Sequence, residues 1–147
     1  MHPDAARLKR LHRLERVRDI ARHAAAAEAA RAEGTLSRLA DLAERTGAMA
    51  ASYAARTDMA DGADLTRFQR FTAGLQGIRT SAEDDATRAR AIADQRQAEL
   101  ASAERRRAAV EDRAEALARA IAARAETPAL GARRAPEGDH SAPKGGR

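Results

Sequence analysis

Large apolar residues fall along the chain in two stripes with helical spacing. The first runs Leu8, Leu11, Leu14, Val17 and Ala21, passes an alanine tract at 24–27, and resumes at Leu36, Leu39, Leu42, Met49 and Tyr53. Steps of three and four residues mark one face of a helix. The second stripe reads Phe68, Phe71, Leu75, Ile78, Ala82, Asp85, Ala89 and Ile92. It then shifts by one position to Ala93, Arg96, Leu100, Ala103, Arg107, Val110, Ala114, Leu117 and Ile121. Such a shift predicts a stutter in a coiled coil.

The breaks between and after the stripes set the domain organisation. Pro3 and Asp4 suit a first helical turn. Turn formers crowd the segment from Thr57 to Asp64, and Asp64 is the expected N-cap of the second helix. Gly34 and Gly47 each cost roughly 1 kcal/mol relative to alanine, which predicts bends or thin contacts rather than helix ends. Thr127-Pro128 is expected to stop the second helix. The remainder is poor in apolar side chains and rich in proline and glycine, the composition of a disordered tail. The expected fold class is all-α: a long antiparallel two-helix coiled-coil hairpin with a first helix over 4–56, a loop over 57–64, a second helix over 65–126 and a disordered C-terminal tail over 127–147.

Composition sharpens that picture. Alanine supplies 41 of the 147 residues, and only 23 are Val, Ile, Leu, Met, Phe or Tyr. A globular core of ordinary thickness cannot be assembled from so few large side chains. Alanine is the strongest helix former and lets helices approach closely, so long paired helices are the expected answer. Pairs four residues apart in the favourable order, such as Asp41 with Arg45, Asp84 with Arg88 and Glu115 with Arg119, are expected to support the outer faces.

Charge and chemistry narrow the function. Cysteine is absent, which removes disulfides and thiolate metal sites and fits a reducing compartment. The first twenty residues carry charges throughout, and no segment approaches the ~20 apolar residues of a membrane span. A cytoplasmic location is the default expectation. His12 and His23 stand eleven residues apart on one helix, roughly 16 Å at the helical rise, too far to share a metal. No nucleophile elbow, phosphate loop or zinc-protease motif occurs, so neither enzymatic activity nor a cofactor nor a small-molecule substrate is expected.

The net charge is +5, with 25 arginines to 2 lysines. Arg7, Lys9, Arg10, Arg13, Arg16, Arg18 and Arg22 crowd the first helical turns against only Asp4, Glu15 and Asp19. Acidic residues recur through both helices and aromatic residues for base stacking are few, which argues against nucleic acid as a partner. Arg96 and Arg107 fall on stripe positions, where a buried arginine must find a carboxylate or extend its stem to water. Phe68 and Phe71, beside the loop, either anchor a partner or pack on Met49, Tyr53 and Met59 across the hairpin.

An arginine-rich first helix, a polar loop with Asp58-Met59 and Gly62, and then Phe68-Gln69-Arg70-Phe71 followed by Leu75 and Ile78 resemble the FliJ family of flagellar type III export proteins. The likeness spans most of residues 5–126. It implies an antiparallel two-helix coiled coil similar to the central stalk of rotary ATPases, peripherally associated with the inner-membrane export apparatus. It implies two partners, a hexameric export ATPase and a transmembrane export-gate protein, and admits export chaperones as well. Phe68, Phe71, Leu75, Ile78 and Ala82 would meet the export gate, and Arg7, Arg10, Arg13, Arg16 and Arg18 would face the ATPase. Ala82 stands where the family pattern is more polar. An injectisome-type stalk shares this architecture. The alternatives from other classes are a homo-oligomeric scaffolding coiled coil, in which the phenylalanines close a bundle, and a polyanion-binding helical protein.

Overall fold

A computed structural model of the chain describes residues 2–56, 58 and 60–133. It is all-helical, with two long helices packed antiparallel as a hairpin: α1, Pro3–Ala54 over 52 residues, and α2, Gly62–Arg133 over 72. The helices divide into two compact units. The terminal unit joins residues up to Arg16 with those from Ala108 onward, and the turn unit is Val17–Arg107.

Pro3 opens α1, where its missing N–H costs nothing. The Asp4 N–H donates to His2 Nδ1 at 3.3 Å, and the Ala5 N–H donates to the His2 carbonyl at 3.0 Å. Both α1 glycines are accommodated without a break in the helix. The cap of α2 is not the expected Asp64 but Asp61, whose Oδ1 accepts from the Asp64 N–H at 2.8 Å. Asp64 instead sits in the first turn, where its charge complements the helix dipole. Nor does α2 end at Thr127-Pro128, since it runs through both to Arg133. Proline removes one intrahelical donor, and the neighbouring Ala125, Ala129, Leu130 and Ala132 all favour helix. Of the expected tail, residues 127–133 are therefore helical, and 134–147 lie outside the described residues.

In the terminal unit, Leu8 and Leu11 of α1 are half-buried with Leu117 and Ile121 of α2, and Val110 and Ala114 are buried. Arg124 Nη1 bonds Asp4 Oδ2 between the helices. In the turn unit the interior is small: the buried positions are Ala29, Ala43, Thr46 and Ala50 from α1 and Leu75, Ala82, Ala89 and Ala93 from α2. Alanine on both sides lets two helix backbones close up, and each contact buries little apolar area.

That interior corrects both stripes. On α1 the inward positions are Leu8, Leu11, Glu15, Arg18, Arg22, Ala25 and Ala29, in steps of three and four. Leu8, Leu11, Leu14 and Val17 are spaced three, three and three, which carries the last about 180° around the helix from the first. Val17 and Ile20 accordingly point outward, Ile20 at 70% exposure. On α2 the inward branch from Phe68 is Thr72, Leu75, Ala82, Ala86, Ala89, Ala93, Arg96 and Leu100, and the same seven-residue repeat reaches Ile121. No stutter occurs at Ile92. Phe71, Ile78 and Ile92 belong to the neighbouring flank, which made the repeat seem to slip.

Candidate interaction surfaces

The aromatic cluster beside the turn is built across the hairpin. Tyr53, near the end of α1, meets Phe71 edge-on at 4.8 Å between ring centroids and Phe68 at 6.1 Å. Arg56 places its guanidinium carbon 5.3 Å from the Tyr53 centroid. Tyr53 is thus the partner that the sequence offered to the two phenylalanines. Met59 lies outside the described residues, and Met49 stays exposed.

The five positions expected to meet an export gate are separated by this packing. Leu75 and Ala82 are buried between the helices and present nothing outward. Phe68 is half-buried under Tyr53. Phe71 and Ile78 remain open at 45% and 50%. Two α1 residues join them, Leu42 and Met49, both largely exposed. Leu42 and Ile78 line one groove of about 390 Å³, floored by Gly74, Gly77 and Ala82 and closed at one side by Asp85. One heptad toward the turn from each stands Met49 on α1 and Phe71 on α2, on the same flank. Leu42 and Met49 could have been assigned to it from the sequence once the inward register was known, because each immediately precedes a buried residue, Ala43 and Ala50, and those two are seven apart.

The opposite flank of the turn unit is polar. Arg79 crosses Gly47, with its Nε 3.2 Å from the position a Gly47 side chain would take, and pairs with Glu83 at 3.0 Å. Here the expected thin contact at Gly47 is real, since the glycine makes room for an arginine stem.

Arg22, Arg96 and Arg107, on inward positions, find carboxylates. Arg107 Nε lies 3.1 Å from Asp19 Oδ1 across the interface, and Arg22 Nη2 is 3.1 Å from the same oxygen. His23 Nδ1 is 3.5 Å from Asp19 Oδ2. Partial burial pushes the Asp19 carboxyl up, but the Arg22 hydrogen bond and the His23, Arg22 and Arg107 charges outweigh it and hold the pKa below its usual range. Arg96 pairs with Glu99 on its own helix at 3.0 Å. Arg88 pairs with Asp85 rather than Asp84, while Glu115 and Arg119 meet at 3.7 Å.

Of the arginines expected to face an ATPase, Arg7, Arg10, Arg13 and Arg16 are exposed in the terminal unit. Arg18 belongs to the turn unit, is half-buried, and its Nε makes no hydrogen bond. Among the described residues no helix is long and apolar enough to cross a membrane, and no cluster of three or more His, Asp or Glu side chains is placed to hold a metal. Comparison with family models, with curated proteins and with solved structures finds no match to this chain.

Proposed function

We propose that the protein is a helical adaptor of a type III export apparatus, a stalk of the FliJ kind that joins an export ATPase to an export gate. The observation that carries the reading is the apolar flank beside the turn. Leu42, Met49, Phe71 and Ile78 are large, exposed and drawn from both helices, and an exposed patch of this kind favours a protein partner. The sequence likeness around Phe68-Gln69-Arg70-Phe71 supplies the identity of that partner as the gate. The gate surface is then Phe71 and Ile78 with Leu42 and Met49, while Leu75 and Ala82 support it from beneath. The basic α1 turns bearing Arg7, Arg10, Arg13 and Arg16 face the ATPase. In this role the chain binds no nucleotide, works in the cytoplasm at the membrane-embedded machine, and transmits ATPase turnover to the gate by contact alone.

The test is a pull-down of the full chain with the cytoplasmic domain of an export-gate protein and with the export ATPase. Gate binding is expected to fall with Phe71→Ala and with Ile78→Ala while helicity by circular dichroism is retained. Absence of binding to both partners overturns the reading. The same flank supports a second reading, a homo-oligomeric scaffold, because Leu42 and Met49, like Phe71 and Ile78, repeat at the seven-residue spacing a second hairpin requires. Light scattering separates the two: a stable dimer broken by Phe71→Ala favours the scaffold, and a monomer favours the adaptor.

A further inference from the structure

The terminal unit carries a different surface. A groove of about 470 Å³ runs between its helices, floored by Ala5, Leu8 and Ile121 and rimmed by Lys9, His12 and Arg16. Arg13 stands four residues after Lys9 and three before Arg16, so the three cations are neighbours on the helix surface. Like charges at these spacings destabilise a helix. Among the described residues no carboxylate offsets them, and Lys9, Arg13 and Arg16 form no ion pair. In the turn unit Arg22, Arg31, Arg67, Arg88 and Arg96 are each paired to a carboxylate three residues away. Glu15 stands beside the groove residue His12, 3.5 Å from its ring.

We propose that this groove is a docking site for an acidic amphipathic helix of a partner protein. Its lining joins apolar side chains to Lys9 and Arg16, which form no ion pair among the described residues, so the complementary ligand has an apolar stripe flanked by carboxylates. Nucleic acid would use the rim alone and leave the floor uncovered, and both phenylalanines and the tyrosine lie in the turn unit, which leaves the terminal unit without a phenyl or phenol ring on which to stack a base. A bilayer is flat and meets protruding apolar groups, whereas these lie below the charges. The inference shares Arg13 and Arg16 with the ATPase face of the export reading, but it rests on the groove itself and uses none of the gate-flank residues.

The experiment titrates the full chain into three fluorescent probes and vesicles and reads anisotropy or co-sedimentation. The first probe is a synthetic helical peptide with leucines on one stripe and glutamates around it, the second a peptide of the same composition with the stripe scrambled, and the third a DNA duplex. The vesicles are phosphatidylglycerol. The striped peptide is expected to bind, to weaken with added salt, and to bind roughly tenfold more weakly to the Lys9→Glu, Arg16→Glu double variant. Phe71→Ala is expected to leave it unchanged, so failure here is distinguishable from failure at the flank. Relief of the like-charge contacts keeps the double variant folded, which circular dichroism checks. No binding of the striped peptide, equal binding of the scrambled one, tighter binding to DNA or vesicles, or indifference to the double variant overturns the proposal.

Discussion

Phe71 presents its ring edge-on to Tyr53 across the hairpin, 4.8 Å between centroids and 74° between planes, yet leaves nearly half of its surface to solvent. One side chain therefore serves both the hairpin and whatever covers the flank. Ile78, one heptad away, has no such contact with Tyr53. Phe71→Ala is expected to lower unfolding stability by about 1–2 kcal/mol, and Ile78→Ala by less than about 0.5 kcal/mol. Urea titrations of the two variants check the difference, and equal losses would mean that the aromatic contact holds nothing.

The register of α2 gives a sharper contrast between adjacent positions. Ala93 is 1% exposed against α1, and Ile92 beside it points outward. Enlarging the first forces the helices apart, so Ala93→Leu should cost about 1–3 kcal/mol. Ile92→Ala should cost little, because the lost methyls were already in water. Thermal unfolding of the pair reads the register directly, and the reverse order would restore the stripe through Ile92.

Glycine substitutions probe the two flanks. A side chain added at Gly77 meets nothing within 4 Å, and alanine there should stabilise α2 by about 0.5–1 kcal/mol. At Gly47 the added carbon meets the Arg79 stem at 3.2–3.4 Å. The arginine must move and loosen its pairing with Glu83, so Gly47→Ala should gain less than Gly77→Ala. Melting temperatures of the two variants, compared side by side, give the answer.

Acid should act through Asp19. Its carboxyl titrates below the usual range in the folded chain, so its contribution is present at neutral pH and is lost as pH falls below about 4 through the folded value. Asp19→Asn removes this dependence together with the charge that Asp19 sets 3.1 Å from Arg107. The variant is expected to be less stable than the parent at pH 7, with the gap closing toward pH 3. A constant gap across that range would show that the charge on Asp19 contributes nothing.

Two helices, a turn and antiparallel pairing were legible in the sequence because Asp61, Gly62 and Asp64 interrupt apolar spacing that is otherwise helical on both sides. The register was not. Alanine occupies inward and outward positions alike, so the eye follows Leu14, Val17, Ile78 and Ile92, and these stand off the inward register. Asp61 and Asp64 are chemically identical caps three residues apart, and only the geometry of the turn decides between them. At the flank, Phe71 was readable as a surface anchor together with Phe68, which is half-buried, and Ile78 entered only through the family resemblance. Leu75 and Ala82 were not separable from Phe71 and Ile78, since all four satisfy the same three-and-four spacing. Leu42 and Met49 escaped notice because they were counted as interior. The cations of the first helix were plain in the sequence, but that Lys9, Arg13 and Arg16 lack carboxylates became visible only when the pairing of the others was known.

An interior of alanine has an evolutionary consequence. Positions such as Ala29, Ala50 and Ala93 can accept almost nothing larger, so drift there is closed off by sterics. Leu42, Met49 and Ile78 stand in solvent beside that rigid spine and can exchange one bulky side chain for another at little cost to folding. The architecture thus separates what must be inherited unchanged from what is free to vary, and allows the preference for a partner to be rewritten along the flank while the hairpin beneath it stays the same.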